Sequence, residues 1–539
     1  MIKMRTLLLA LILVPSIMFG QKLSDDFTVT TAEPYKVVDA GSKEYIALDN
    51  GNIIMAKMRG EEVTLQLFGA NEMKELARSF NEDLPKYTKF VEMIKLKNRV
   101  FYIYQAYNKK QKNFTVYSRE IDTENAKFLE QKELLTTARK VTNSPSTGEI
   151  SEYTGAAGFS VGQLGDKFMV QKSFDDSKVM INYRLYPLIK KDALNYDDIG
   201  FFVFDESMDK IWGQEVKMPY TEAQINNVAY SVSSKGNGMM LVVNRESKVY
   251  EVISTNASGE VKTNKLDVSA EKIVRSMKIK ELENGNFLCA GFYANGIEYN
   301  FMGGSFKYNI NGLMYFMVNP EGELLKNFTY DFTEDFIKQN LSKKQKAKVE
   351  KREKDGKAGI ADLLLLDFVL KPDGSALFIG ERQYVEKPAF GPNSNKTYYK
   401  FQNAVIIRVE KDGTLAWMKK LPKNQYGFNG GGQMSIAYME GKTADYVTFV
   451  DNPKNINLDA NGGVPERHSD GHGGFLTAYK IDQKTGDLEK HTICELNDIK
   501  GVRAYQFKTT RIIKSSDGVF LMEIYIKGKK DTMVKFQIN

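Results

Sequence analysis

The sequence predicts an all-β protein folded as a single β-propeller, and two observations support this prediction. Runs of β-type residues recur along the 539 residues, and turns rich in Gly, Asp or Asn separate them. The clearest copies are Asn284-Gly285 before residues 287–291 and Asp373-Gly374 before residues 376–380. Self-similarity on this scale is typical of repeat architectures, of which propellers are an all-β form. Eight units can be counted, so we expect eight blades, with seven as the alternative if one of the looser early units is not a full blade.

The units share one order of elements. Each begins with an approach strand and a polar turn, continues with an apolar strand, and ends with further strands joined by an acidic or Gly turn. The apolar runs that mark the eight units lie at residues 53–58, 100–104, 179–183, 238–243, 287–293, 376–380, 446–450 and 519–526.

The two ends of the chain predict how the ring of units closes. The last unit, residues 511–538, has three strands where the others have four. The stretch 27–38 has strand-like composition and belongs to no unit. We therefore expect the N-terminal strand to complete the last blade, because closure removes strand edges that would otherwise be exposed.

Residues 1–20 have the pattern of a secretory signal peptide. Lys3 and Arg5 precede the apolar run 7–14, Pro15 interrupts it, and the small Gly20 stands before the expected cleavage point. A retained membrane anchor is the alternative. The mature chain is then residues 21–539, and we expect it in the periplasm, at the cell surface or outside the cell. No later stretch is long and apolar enough to cross a membrane, so we do not expect an integral membrane protein after signal removal.

The net charge of +7 is concentrated in one segment, since residues 342–357 carry eight Lys and Arg against three Asp and Glu. A nucleic-acid-binding protein shows a basic face spread over its fold, so the sequence excludes nucleic acid as a main partner. The stretch 334–353 is rich in Lys, Gln, Ala and Glu, which favours a helix. We expect a short basic helical insertion at about 333–360 that faces an acidic partner surface.

Blades of four strands need fewer residues than the units contain, so the surplus predicts long loops, which are usually functional or disordered. The largest are 139–160, 184–199, 333–360, 384–402 and 453–473. Cys289 and Cys494 lie on apolar runs of different units. Buried free thiols are the favoured interpretation, and a disulfide between the two units stays open.

The segment 466–474 is the strongest candidate for a ligand or metal site. It contains Arg467, His468, Asp470 and His472, and therefore two of the three histidines of the chain. Imidazole and carboxylate groups suit zinc and similar divalent metals, and His468, Asp470 and His472 share one side of an extended chain. The competing interpretation is an exposed polar loop without metal, and we expect no cofactor if that interpretation holds.

Three other motifs carry less weight. Residues 158–162 match the G-x-S-x-G pattern around Ser160, but strand-like sequence follows where a hydrolase needs a helix. The Gly-rich run 427–432 lacks the Lys of a phosphate-binding loop. The acidic pairs 175–176 and 197–198 are expected to be solvated turn residues.

Aromatic residues in the predicted loops form a second candidate site. Tyr384, Phe390, Tyr398, Tyr399, Tyr426 and Phe428 lie there, with Arg382 and Lys400 nearby. Together they suit a rim that holds a glycan or a peptide. Packing of the loops onto the propeller is the alternative.

Two stretches resemble known secreted proteins. Residues 173–179, Ser-Phe-Asp-Asp-Ser-Lys-Val, resemble the S-x-D-x-x-K turn of periplasmic TolB-like propellers, although the Pro-Asp-Gly core of that turn is missing. Residues 417–425, together with the Gly-rich loop containing His468 and the Tyr-rich C-terminal strands, resemble uncharacterised envelope proteins of Bacteroidota. The resemblance implies an envelope or extracellular location and brings no activity with it.

These observations favour a non-catalytic binding or scaffold propeller of the bacterial envelope that presents loops to a protein partner or envelope complex. The alternative is a glycan-binding or metal-dependent enzyme propeller that uses residues 466–472. Enzymatic activity stays open, because the sequence shows no legible set of acid, base and nucleophile.

Overall fold

The computed structural model describes residues 23–142, 144–146, 167–189, 191–269, 272–300, 305–386, 396–428, 432 and 434–539. Within these residues the strands form eight sheets that follow one another along the chain, and each sheet is one blade. All strand pairs are antiparallel except one short parallel pair in the sixth sheet. The expected signal peptide lies outside the described residues. No helix in the described part of the chain is long and apolar enough to cross a membrane.

The first half of the chain forms blades 1 to 4. It begins with β1 (Phe27–Thr31) and β2 (Tyr35–Lys36). Blade 1 consists of β3 (Ser42–Ala47), β4 (Ile53–Arg59), β5 (Glu62–Phe68) and β6 (Glu75–Asn81). Blade 2 consists of β7 (Thr88–Leu96), β8 (Arg99–Asn108), β9 (Asn113–Asp122) and β10 (Lys127–Thr136). Blade 3 consists of β11 (Phe168–Lys172), β12 (Lys178–Arg184), β13 (Tyr196–Asp205) and β14 (Lys210–Thr221). Blade 4 consists of β15 (Ile225–Val232), β16 (Gly238–Asn244), β17 (Val249–Thr255) and β18 (Val261–Ser269).

The second half forms blades 5 to 8. Blade 5 consists of β19 (Ile273–Glu281), β20 (Phe287–Asn300), β21 (Ser305–Val318) and β22 (Leu324–Asp331), and then α1 (Glu334–Lys338), α2 (Lys343–Glu353) and β23 (Ile360–Ala361) follow. Blade 6 consists of β24 (Leu363–Leu370), β25 (Ala376–Glu386), β26 (Tyr398–Val409) and β27 (Leu415–Phe428). Blade 7 consists of β28 (Ala437–Glu440), β29 (Ala444–Asp451), β31 (Phe475–Asp482) and β32 (Leu488–Glu495), while β30 (His468–Ser469) joins blade 6. Blade 8 consists of β33 (Ile513–Ser516), β34 (Val519–Ile526), β35 (Lys530–Ile538) and the N-terminal β1.

The protein is therefore an eight-bladed β-propeller, as the repeat predicts. At six of the eight junctions in the described part of the chain, the first strands of the two blades contact each other, which places the first strands innermost around the axis. The predicted closure is also confirmed, because β1 pairs antiparallel with β35 from Phe27 opposite Ile538 to Thr31 opposite Val534. The last blade thus takes its fourth strand from the other end of the chain.

Apolar side chains between the blades form the core. Eight clusters of buried apolar residues lie in the described part of the chain, one at each junction between successive blades. Strand alternation explains this arrangement: Ile53 and Met55 of β4 pack toward blade 8, while Ile54 and Ala56 pack toward blade 2. Cys289 and Cys494 are buried free thiols in two of these clusters, as favoured from the sequence.

The strand order divides the connections between two faces of the disc. Connections from first to second and from third to fourth strands lie on one face, and all of them have six residues or fewer. The other face, here called the long-loop face, carries the connections from second to third strands and from blade to blade. The connections of more than six residues all join strand ends that lie on this face, and they span residues 137–167, 185–195, 332–362, 387–397, 429–436, 452–474 and 496–512.

The helical insertion forms as predicted, but as two helices rather than one. Thr333 caps α1, and Ser342 caps α2 with a capping box to Gln345, so the chain breaks between them at residues 339–342. No residue of α2 is buried, and its lysines face solvent. The predicted loop 384–402 is wrong in extent, because β25 continues to Glu386 and β26 begins at Tyr398.

Candidate functional site

Blade 6 extends further than a standard blade at the long-loop face. Its strands β25, β26 and β27 have 11, 12 and 14 residues, and their ends stay paired out to Glu386, Tyr398 and Phe428. Side chains alternate along each strand, so one side of this extension is buried and the other meets solvent.

The solvent side of the extension gathers aromatic and cationic side chains. Tyr384 lies opposite Lys400, which lies opposite Tyr426, and Tyr398 lies opposite Phe428. With Arg467 from the neighbouring loop, these residues form what we call the aromatic face: Arg382, Tyr384, Glu386, Tyr398, Lys400, Tyr426, Phe428 and Arg467. The cross-strand register brings the predicted Arg382 and Tyr384 to the same face as Tyr426, and the contact of Arg467 with Tyr426 adds a residue 85 positions from Arg382 in the sequence.

The rings and cations of the aromatic face are in direct contact. The ring centroids of Tyr398 and Tyr426 are 5.4 Å apart, and those of Tyr398 and Phe428 are 5.8 Å apart. The guanidinium of Arg467 lies 4.7 Å from the Tyr426 centroid, and that of Arg382 lies 4.8 Å from the Tyr384 centroid. Contacts between cations and aromatic rings stabilise the positions of both groups.

A buried ion pair joins β25 and β27, two of the strands that carry the aromatic face. Lys423 Nζ lies 2.5 Å from Glu381 Oε1, and both side chains are fully buried. Ser435 donates its hydroxyl hydrogen bond to the other carboxylate oxygen of Glu381 at 2.5 Å. Burial lowers the pKa of Lys423, while Glu381 opposes that shift. Because a lone charge at this depth would be costly, the pair fixes the two strands relative to each other.

The helical insertion borders the same extension. Lys420 Nζ donates to the carbonyl of Ile337 at the end of α1, at 2.8 Å. Arg382 Nε donates to the carbonyl of Ala361 in β23, also at 2.8 Å. Burial lowers the pKa of Lys420 to about 7, and the nearby Arg382 adds to this shift. The insertion is thus anchored to blade 6 at both of its ends.

The four predicted residues of segment 466–472 differ in their burial. His468 lies in β30 beside β27 and is 3% exposed, whereas Arg467 and His472 are exposed. Gly474 packs against His468: a Cβ at Gly474 would lie 2.9 Å from His468 Cε1 and 2.8 Å from the Asp451 carbonyl oxygen. Burial lowers the pKa of His468, and Asp451 and Asp470 oppose this shift. His468 is therefore a packed side chain within the fold.

The predicted metal site is not assembled. Within the described ranges, no three or more His, Cys, Asp and Glu side chains come together in a geometry that could hold a metal ion. His472 is exposed, and its Nδ1 lies 3.0 Å from the backbone carbonyl of Asp470. Alternation predicted that the three residues share one side, but the positive φ of Gly471 turns the chain between Asp470 and His472.

Asp470 instead lines a cavity of about 330 Å³ on the long-loop face. Other walls of this cavity come from the first strand of blade 1 and from residues 505–511 before blade 8. The residues that line it are Lys43, Gly432, Asp470, Gly471, Tyr505, Gln506, Phe507, Lys508, Arg511, Glu523 and Tyr525. Sequence reasoning missed Lys43, Lys508 and Arg511, because they come from distant segments and form no motif.

Several remaining predictions have definite outcomes. Residues 158–162 with Ser160, as well as Phe390 and residues 429–431, lie outside the described residues.

The prediction that residues 197 and 198 are solvated turn residues is wrong: both lie in β13, and Asp197 is 2% exposed. The Arg184 Nε lies 2.6 Å from Asp197 Oδ1, so this carboxylate belongs to a buried ion pair.

Comparisons with known proteins concern the fold alone. No protein-family model and no curated protein sequence matches the chain. Among solved structures, the C-terminal WD40 domain of Sif2 is similar over 94% of this chain and 97% of its own, at 8% identity and a TM-score of 0.39. The uncharacterized protein lmo1340 from Listeria monocytogenes is similar over 78% and 84% of the two chains, at 9% identity and a TM-score of 0.33. The β-propeller domain of the Trilobed protease from Pyrococcus furiosus is similar over 87% and 99%, at 11% identity and a TM-score of 0.31.

Proposed function

We propose that this propeller is an exported, non-catalytic binding protein of the bacterial envelope that holds a protein partner on its long-loop face. The aromatic face carries the proposal. Tyr and Arg side chains dominate the energetic centres of protein interfaces, and here they are grouped on a supported sheet with Phe428 46% exposed. The pattern of residues 1–20 supports export.

The charges of the aromatic face favour binding over catalysis. Its single carboxylate, Glu386, is ion-paired with Lys400. A general acid or base needs a pKa tuned for proton transfer and a reacting group within reach. An ion pair on an exposed sheet serves orientation and partner choice instead.

Site-specific photo-crosslinking tests the proposal with a matched pair of positions. A photoreactive phenylalanine analogue replaces Phe428 in one variant and Phe174 in the other, and each variant is expressed in the native host. Phe174 is the control because it is 48% exposed and lies in a short turn on the opposite face. We expect a discrete protein adduct from position 428 and none from position 174.

A second change ties any adduct to the aromatic face. Replacing Tyr426 and Arg467 by alanine in the position-428 variant should remove the adduct while the melting temperature stays close to that of the parent. Equal adducts from both positions, or no protein adduct from position 428 in folded protein, would contradict the proposal. An adduct that glycosidases degrade and proteases do not would favour a glycan-binding propeller in its place.

A further inference from the structure

A lysine and two acids meet inside the fold where blade 8 closes onto blade 1. Lys57 Nζ lies 2.6 Å from Glu523 Oε1 and 3.1 Å from Asp531 Oδ2. The side chains of Lys57, Glu523 and Asp531 are 0%, 1% and 0% exposed. Lys57 and Asp531 are 474 positions apart in the sequence, so a covalent bond between them would close the ring of eight blades.

The three side chains lie at the edge of an apolar layer. The residues two positions away, on the same sides of β4, β34 and β35, are Met55, Leu521 and Met533, and all three belong to the buried cluster at this junction. Water is kept from the site by this packing. A charged group costs far more free energy in such surroundings than at the surface.

The two acids differ in how readily they hold a proton. Burial raises the pKa of Asp531, and the neighbouring Glu523 charge raises it further. Burial acts on Glu523 in the same direction, but Lys57 and Lys43 outweigh it and lower the pKa of that carboxyl. Acids whose surroundings separate them in this way take different roles in proton transfer. Asp531 is therefore the carboxyl that becomes neutral and open to attack by an amine.

A second lysine keeps the charges of the site balanced. Lys43 contacts Glu523 and lies 3.4 Å from Asp531 Oδ2, and its side chain is 14% exposed. Lys57 is nearer to Asp531 and more deeply buried, so it is the better-placed nucleophile. Joining one lysine to one acid leaves Lys43 paired with Glu523, and no buried charge loses its counter-charge.

We infer that Lys57 and Asp531 form an isopeptide bond in the folded protein, an amide between Nζ of Lys57 and Cγ of Asp531. The Lys57 ammonium passes one proton to the Asp531 carboxylate through Glu523, which leaves a neutral amine beside a neutral acid. The amine nitrogen attacks Cγ and the N–C bond forms. Glu523 then carries a second amine proton to the departing hydroxyl, and the C–O bond breaks. One ammonium and one carboxylate thus become one amide and one water.

Burial and proximity favour this reaction. An ammonium and a carboxylate are well solvated in water, whereas at the closure both groups are held away from it. Amide formation replaces two buried charges by one neutral group and releases a water molecule. The fold also holds the amine against the carboxyl, which removes the entropy cost of bringing the two groups together. The inference does not depend on the proposed function.

Another buried lysine and acid serve as an internal comparison. Lys371 Nζ lies 2.9 Å from Asp445 Oδ1, and the two side chains are 5% and 1% exposed. Tyr438 and Gln483 donate to the same oxygen at 2.7 and 3.2 Å, which stabilises the ionised carboxylate. In the described part of the chain, Asp531 accepts side-chain hydrogen bonds from the two closure lysines alone, and its Oδ1 has no partner. We therefore expect the bond at the closure and none at Lys371.

Mass spectrometry of the mature protein tests the inference. The intact protein should be lighter than its sequence mass by one water, about 18 Da. After trypsin digestion, a peptide that contains Lys57 should be joined to a peptide that contains Asp531, and cleavage after Lys57 should be missing. The peptide that contains Lys371 should be unmodified.

Two variants separate the bond from the ion pair. Lys57→Arg keeps the positive charge but replaces the amine by a guanidinium that stays protonated, so it should retain the full mass. Glu523→Gln keeps the shape of the proton relay but cannot accept a proton, so we expect a cross-linked fraction about tenfold lower.

A full sequence mass in folded parent protein would overturn the inference, and so would a loss of water that maps to other residues. An unchanged cross-linked fraction in folded E523Q would overturn the role of Glu523. If neither variant folds, the peptide map of the parent protein decides whether the bond exists.

Discussion

Lys57 of blade 1 and Glu523 of blade 8 form an ion pair across the closure of the ring, with 2.6 Å between Nζ and Oε1 and side chains that are 0% and 1% exposed. The apolar cluster at this junction has seven buried residues, whereas each of the other seven clusters has at least thirteen. Tyr35, which follows β1, donates a hydrogen bond to Glu523 at 2.5 Å. Buried charge therefore contributes to the closure of the ring, where the apolar cluster is smaller than at the other junctions.

Replacing Lys57 by methionine should destabilise the protein strongly. The variant leaves Glu523 and Asp531 buried with Lys43 as their remaining counter-charge, and breaking a buried pair typically costs about 3–5 kcal/mol. Urea unfolding measures the free energy of unfolding. The control is Lys97→Met, because Lys97 pairs with Glu206 at 3.2 Å with both side chains exposed. Exposed pairs contribute about 0–1 kcal/mol, so equal losses in the two variants would refute the importance of the closure pair.

Deleting β1 should open the ring. The deletion of residues 23–31 removes Phe27 and Val29 from the cluster between blades 7 and 8 and leaves the edge of β35 unpaired from Val534 to Ile538. An unpaired strand edge invites association with other chains. We expect a lower melting temperature and concentration-dependent aggregation, measured by calorimetry and light scattering. A monomeric deletion variant with the parent melting temperature would show that three strands suffice for blade 8.

The sequence predicts the blade count and the closure because both depend on local signals. Turn residues and apolar runs recur within each unit, and the last unit visibly lacks a strand. The helical insertion is also predicted from its Lys, Gln, Ala and Glu content, although the break between α1 and α2 is not.

The sites depend on relationships that a single sequence does not display. Tyr384, Lys400 and Tyr426 become neighbours through the strand register of blade 6, and residues 384–402 read as one loop because the turn residues Gly391, Pro392 and Asn393 lie at their centre. The burial of His468 depends on its packing against Gly474 and the pairing of β30 with β27. The cavity joins Lys43 to Arg511, which no spacing rule connects.

The pH dependence of stability should contain a contribution from Glu222. Burial raises the pKa of Glu222 to about 7; Arg184 opposes this shift and Asp197 adds to it. The folded state then holds a proton that the unfolded chain has released between its ordinary pKa of 4.5 and about 7. This contribution to stability is present at low pH and is lost as the pH rises through that window.

Glu222→Gln should therefore reduce the loss of stability between pH 5 and pH 7.5, which urea unfolding at both values measures. Glu130→Gln, at an exposed position of β10, serves as the control and should leave the difference unchanged. If the parent and E222Q lose the same free energy of unfolding over this range, the raised pKa of Glu222 is wrong.

The two histidines of segment 466–472 should behave differently when each is replaced by alanine. His468 is buried, so His468→Ala leaves a cavity and should cost about 2–4 kcal/mol of unfolding free energy. His472 is exposed, so His472→Ala should change that free energy by no more than about 0.5 kcal/mol. Both variants and the parent are purified without chelator or His tag, and their metal content is measured together with urea unfolding. Unequal stabilities with equal metal content would assign His468 to packing. Stoichiometric metal in the parent that is lost in both variants would instead show that residues 468–472 rearrange into a metal site. That result would contradict a purely structural role for His468.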